Sequence, residues 1–268
     1  MSKIKNFLRR VFVSISKPAR EQLLVSLNEQ ILRGTSRLVN TAILHQKTFA
    51  EYKGCNVGKE VVIVGAGPTV NKFKPIENCI YIGLNRACVL SNVKFDYLFT
   101  IDKLGIEQYY KEFGEYDCVK FVGDQNLGPH WQIPETEILK MKNVRQYKTD
   151  AGLYSRSFFT LDIDKEPLGN FNTVSLQAMQ FALYTQPRRI YLVGIDCSTA
   201  GHFHKKDNAD GGLSDKINTR GEDLKLNMDY SIIFWSQLKE FADTYYPDIE
   251  IVSVNPVGLR GLFTDIDQ

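Results

Sequence analysis

From residue 60 onward the chain alternates short, continuous apolar runs with longer stretches whose apolar residues recur at helical spacing. Runs of strand length fall at 60–65, 79–83, 95–101, 117–122, 143–147, 189–194 and 249–254. Several, such as Val61-Val62-Ile63-Val64, show no polar alternation. That is the pattern of strands covered on both faces, as in a parallel sheet. Helical periodicity predicts helices over 103–113, 173–185 and 222–245. Strand and helix taking turns predict an α/β fold, one open and mostly parallel sheet with helices on both faces. Right-handed crossovers then gather strand carboxyl ends and helix amino ends on one edge. Ligands bind there, where the strand order reverses.

Two regions depart from this pattern. Residues 197–221 are polar and rich in Gly, Asp and Asn, and they directly follow the run "RIYLVG". A loop of that length at the ligand edge reads as a lid, with a binding loop or a disordered segment as the alternatives. At the other end, residues 20–50 read as a helix in which Leu24, Ile31 and Leu38 fall seven apart. This is a faint heptad that could pair subunits into a homo-oligomer; Gly34 and Thr35 interrupt it, and core packing or plain capping are the alternatives. Ahead of it, residues 1–20 carry six basic side chains and no acid, with Ile4, Phe7, Leu8 and Val11 at helical spacing. A basic amphipathic helix predicts a peripheral contact with an anionic membrane surface through residues 1–18; a helix packed on the protein is the alternative. The division expected is a helical extension over 1–52 and a catalytic domain over 53–268.

Composition narrows the classes. With 268 residues, 43% hydrophobic and 24% charged, the chain has enough for one large globular domain. A net charge of +2 gives no field for nucleic acid. Nothing is apolar for long enough to span a bilayer. The five cysteines form no C-x-x-C pair, so neither a zinc site nor a redox dithiol is expected. Scattered thiols without a leader predict a reducing cytoplasm, on the inner face of the membrane if the amino-terminal helix docks there.

The candidate chemistry sits at predicted strand ends. The first strand runs into Gly65-Ala66-Gly67-Pro68-Thr69. The turn lacks the third glycine of a dinucleotide clamp, where Val70 stands instead. Pro68 suits a first helical position, and the remaining N–H groups with the Thr69 hydroxyl would face a phosphate. The same pattern also serves as a plain tight turn. Asn85 ends the next strand, and Asp102 follows the third, either as a helix cap or as a group meeting an acceptor hydroxyl. In the second half, Asn172 or Thr173 opens a helix, and "RIYLVGID" ends in Gly194 and Asp196, a carboxylate placed to take ribose hydroxyls.

Taken together these residues resemble the bacterial lipooligosaccharide sialyltransferases, glycosyltransferase family 42, and related uncharacterised bacterial proteins sharing their core. The resemblance lies in Gly65-Ala66-Gly67-Pro68-Thr69, Asn85, Glu107-Gln108-Tyr109-Tyr110, Thr173 and Gly194-Ile195-Asp196, spread over roughly residues 60–260. It implies a single Rossmann-like domain that binds a CMP-activated sugar without a metal or other cofactor. It further implies transfer of a sialic acid-like or Kdo-like sugar, with inversion, to a glycan or glycolipid acceptor of the cell surface. Gly65, Gly67, Pro68, Thr69 and Asn85 would hold phosphate and ribose. Thr173 and Ser175 would contact phosphate or cytosine, and Gly194 with Asp196 the nucleoside. The chain departs from the family at Thr173-Val174-Ser175 and at Cys197-Ser198. It also has no histidine around Asp229-Tyr230-Ser231, where the family's base lies.

Sugar transfer needs a base for the acceptor proton and donors for the leaving phosphate. His202 and His204, in "GHFHKK", supply the first type, with lysines beside them. They are the candidate catalytic residues, together with Asp102; a metal pair or ordinary loop histidines are the alternatives. His45 and His130 read as structural or surface groups. Asp162-Ile163-Asp164 matches a metal-binding triplet but follows no strong strand and reads as loop. Two other functions stay open: a nucleotide-dependent phosphotransferase or pyrophosphokinase-like enzyme, with Asp102 and Asp196 holding magnesium, and a membrane-recruited nucleotide-binding module without catalysis.

Overall fold

A computed structural model describes residues 17–101, 103–124, 132–150, 158–169, 171, 173–198 and 221–268. In chain order the elements are α1 (Lys17–Phe49), β1 (Glu60–Val64), β2 (Cys79–Leu84), β3 (Tyr97–Thr100), α2 (Lys103–Ile106) and α3 (Tyr110–Glu115). Then come β4 (Val119–Asp124), α4 (Glu135–Ile138), β5 (Val144–Lys148), α5 (Val174–Tyr184), β6 (Arg189–Val193), α6 (Gly221–Tyr245), β7 (Glu250–Val254) and β8 (Thr264–Ile266). All eight strands join one sheet in the order β5-β4-β3-β2-β1-β6-β7-β8, and every pairing is parallel. The order reverses between β1 and β6, which makes their carboxyl ends the switch point.

Strand side chains alternate between two cores. Val61 and Ile63 point to one face, and Val62 and Val64 to the other. The first face is covered by α5, α6 and the end of α1, around stacked Phe99 and Phe121 at 4.5 Å and a fully buried Trp235. All of α5 is buried, because it lies between the sheet and α6. The second face is covered by short turns and by α3, through Val70, Phe95 and Phe113.

β5 is an edge strand, and α1 covers its open side. Thr48 Oγ1 donates to Gln146 O (2.7 Å), and the Lys148 N–H donates to His45 Nε2 (2.8 Å). Because Nε2 accepts, the ring proton sits on Nδ1 and goes to Ile163 O, 2.8 Å away. Burial pushes the His45 pKa below its usual 6.5. His45 is therefore a structural residue. Phe49, fully buried, stacks on Phe121, so the last turns of α1 belong to the sheet's core, whereas residues 21–40 are exposed.

The helix expected over 20–50 is α1, which runs unbroken through Gly34 and Thr35, with Thr35 Oγ1 donating to Ile31 O. Two expectations need correction. The helix expected over 103–113 is divided into α2, a 3-10 turn at Glu107–Tyr109 and α3. Its breaks fall at Ile106 and Tyr109, whose backbones leave the helical region. β8 had no counterpart in the sequence reading. The lid over 197–221 lies outside the described residues except for its ends, as do residues 1–16. Among the described residues no helix is long and apolar enough to cross a membrane.

Candidate active site

The turns after β1 and β6 meet at the switch point. The ladder continues past both strands, with the Gly65 N–H donating to Val193 O and the Gly67 N–H to Gly194 O, each at 2.8 Å. This close approach requires glycine. A Cβ on Gly65 would lie 2.5 Å from Gly194 O, and Gly194 itself has φ +63°. Gly67 has extended φ and precedes a 3-10 turn, Pro68–Lys72, with Pro68 at its first position. A Cβ on Gly67 would lie 2.5 Å from the Asp196 Cγ.

Asp196, only 6% exposed, is the reason for that restriction. Its Oδ2 accepts from the Thr69 N–H at 3.1 Å, and its Oδ1 accepts from Thr69 Oγ1. A carboxylate from the sixth strand thus caps the turn that follows the first. The Asp196 carbonyl also accepts from the Gly258 N–H at 2.8 Å, tying in the loop after β7. Three turns converge here. The N–H groups of Gly65, Gly67, Thr69 and Val70 all end on protein acceptors. This corrects the expectation that these groups face a phosphate: the Thr69 N–H and hydroxyl face Asp196.

One strand away, Asn85 follows β2 with φ +49°, a conformation that Asn tolerates. Its amide packs against α2, where a Cβ on Gly105 would lie 2.6 Å from the Asn85 Cγ. Among the described residues Asn85 Oδ1 is buried and has no hydrogen-bond partner, so an acceptor stands open at the ligand edge. The Arg86 guanidinium lies over the Tyr109 ring at 5.7 Å. On the first face, α5 packs over β1, β2 and β3 and turns its amino end to the same edge. Thr173 is its N-cap. Its Oγ1 accepts from the Ser175 N–H (3.3 Å) and lies 2.8 Å from Ser175 Oγ.

The fold therefore brings Gly65, Gly67, Pro68, Thr69, Asn85, Thr173, Ser175, Gly194 and Asp196 to one edge of the sheet. Asp102, His202 and His204 lie outside the described residues, as does Asn172. Cys197, in the left-handed region at φ +42°, is no nucleophile. Burial, with the Asp196 charge beside it, pushes its thiol up to about 12. Asp164 is buried and interacts electrostatically with Tyr184 at the carboxyl end of α5, and Asp162 pairs with Lys53 at 3.7 Å. The Asp162-Ile163-Asp164 triplet is thus tied to α1 and to the end of α5, and not to the switch-point turns. No group of three or more metal-binding side chains occurs among the described residues. One pair went unnoticed in the sequence. Asp124 and Lys148, at the carboxyl ends of β4 and β5, form an ion pair on the ligand edge. Asp124, an acid just past the apolar run 117–122, was the available signal.

A doubly wound parallel sheet with a carboxylate and a capped helix at its switch point defines a class of ligand-binding α/β domains, many of them nucleotide-binding. No protein-family model matches the chain, and no curated protein sequence matches it. Among solved structures, the MAf glycosyltransferase from Magnetospirillum magneticum AMB-1 is similar at 16% identity and a TM-score of 0.47, over 85% of this chain and 38% of that one. The sialyltransferase CstII from Campylobacter jejuni in complex with a substrate analogue, CMP-3FNeuAc, is similar at 16% identity and a TM-score of 0.40, over 78% of this chain and 86% of that one. Sialyltransferase CST-II in complex with trisaccharide acceptor and CMP gives 16% and 0.43, over 73% and 80%. This chain thus spans well under half the length of the first of these. At such levels neither activity nor substrate carries over.

Proposed function

We propose that the chain is a glycosyltransferase whose switch-point crevice takes the nucleoside monophosphate part of a CMP-activated sugar. The observation that carries this reading is the gathering on one edge of Asp196 latched to Thr69, the orphan acceptor of Asn85, and the Thr173-capped start of α5. These positions are the ones in which the sequence resembles the family of bacterial sialyltransferases. An ionised carboxylate has about four acceptor sites, of which Thr69 uses two. The others suit ribose hydroxyls or an amino group of the base. A phosphate beside that carboxylate would meet a like charge. Its place is therefore the amino end of α5, where the helix dipole and the first-turn N–H groups other than that of Ser175 would favour an anion. Asn85 Oδ1 would accept from the nucleoside.

In this reading His202 or His204 takes the acceptor proton, transfer inverts the anomeric carbon, and no metal takes part. Asp102 would orient the acceptor hydroxyl, and residues 1–18 would hold the enzyme at the inner membrane near a lipid-linked glycan. Thermal-shift measurements with CMP, CDP, UDP and ATP, each with and without magnesium, test the donor class. Stabilisation by CMP without magnesium is expected. Stabilisation by ATP only with magnesium would replace this reading with the phosphotransferase one, and CMP binding without transfer or hydrolysis would reduce it to a binding module. His202→Ala and His204→Ala should lower turnover with CMP affinity kept; normal turnover in both variants would remove the histidines from the mechanism.

A further inference from the structure

The heptad of α1 continues through the structure in a way that its sequence alone did not reveal. Counting from Leu24, the a and d positions are Leu24, Leu27, Ile31, Gly34, Leu38 and Thr41, and the next two are His45 and Thr48. His45 and Thr48 are the residues that seal the β5 edge. One face of α1 thus docks on its own domain in its last heptad and is bare in those before it. Nine large apolar side chains between residues 23 and 43 are at least 40% exposed, Ile31 at 64% and Leu38 at 61%. A monomer surface rarely carries an apolar patch above roughly a few hundred Å². In the middle of the bare face stands Gly34, a residue poor in helix interiors, and a Cβ built there meets nothing within 4 Å. Nothing described in this chain requires glycine at that point.

We propose that this face pairs with the same face of a second copy of the chain, the two helices running antiparallel. In an antiparallel seam a positions face d positions of the other helix. Placing Leu27 against Leu38 of the second copy sets Ile31 against Gly34 and Leu24 against Thr41. Leu24 and Ile31 then each meet a small side chain, which accounts for Gly34, and Leu27 meets Leu38 in the two remaining layers. The direction follows from the docked heptad. A parallel pair would put two sheet domains on the seam side at the same height, whereas an antiparallel pair puts one at each end. The seam runs from Leu24 to Thr41 in each copy, eighteen residues of helix. The remaining apolar side chains, mostly on b positions, stay outside the seam as scattered surface groups.

Sedimentation equilibrium of the full chain at micromolar concentration tests the pairing. The expected result is a two-chain mass for the natural sequence and a one-chain mass for Ile31→Glu, with the urea midpoint of the sheet domain unchanged. Gly34→Ile and Ile31→Gly should each weaken the pair by at least about tenfold, and the two together should restore it to within a few-fold, because they exchange knob and hole. A one-chain mass for the natural sequence overturns the proposal, as does an Ile31→Glu variant that remains paired. Tighter association in Gly34→Ile overturns it too, since that would mean a parallel seam with its gap filled. A one-chain protein that co-sediments with phosphatidylcholine–phosphatidylserine vesicles, and loses this in Ile31→Glu, would assign the face to lipid instead.

Discussion

Asp196 is bonded to the turn it faces, so its removal has a stability cost separable from any effect on a ligand. Asp196→Ala strips the acceptor from two part-buried donors, the Thr69 N–H and Oγ1–H. Each orphaned donor costs about 1 to 3 kcal/mol, and water entering the gap recovers some of that, so a loss of about 2 to 4 kcal/mol is expected. For a domain of this size that is a fall in melting temperature of roughly 5 to 12 °C. Asp196→Asn is the informative partner. Its Oδ1 can accept from the Thr69 N–H while its Nδ2 donates to the Thr69 hydroxyl, which accepts as readily as it donates. Only the favourable charge at the start of the 3-10 turn is lost, about 0.3 to 1 kcal/mol. Urea unfolding by circular dichroism should therefore rank natural protein, Asn and Ala in that order, with a wide gap before Ala. Should Asn prove as damaging as Ala, or Ala fall within about 0.5 kcal/mol of the natural protein, the latch is not what holds the turn.

Gly65→Ala would press a Cβ to 2.5 Å from a backbone oxygen that cannot rotate away, so a loss of about 1 to 3 kcal/mol is expected in the same assay. His45 is neutral in the fold, its pKa pushed below 6.5 by burial, while the unfolded chain protonates it below that value. Stability from this residue is thus present above pH 6.5 and declines as pH falls below it, and His45→Gln should flatten the urea midpoint across that window. Lys120, fully buried, donates to the carbonyls of Tyr116, Cys118 and Lys142. Lys120→Met leaves all three without it and should cost about 2 to 5 kcal/mol, read as a lower midpoint with an unchanged slope.

The centre of the sheet was legible because β1, β2, β3 and β6 are buried on both faces and show as nearly unbroken apolar runs. β8 escaped because Thr264-Asp265-Ile266 is a short edge strand with exposed or half-buried side chains and no such run. The 103–113 segment is divided just after Gly105, which packs against Asn85, a residue twenty positions earlier, and periodicity does not encode that contact. At the site, the glycines, Asn85, Thr173 and Asp196 were legible as strand-end and cap residues. Their use was not. Gly67 looked like a residue making room for a phosphate, and in the fold it makes room for a carboxylate 129 positions away. Strand order decides that meeting, and local sequence does not carry strand order.

The seal that α1 places over β5 also sets a schedule for synthesis. Phe49 and His45 leave the ribosome early, yet their partners Phe121, Lys148 and Ile163 are made much later. At ordinary elongation speed the wait is on the order of ten seconds, during which the helix has no sheet to rest on. Nascent chains stalled before residue 144 should accordingly be cut by protease near Phe49, and chains stalled well beyond residue 163 should resist.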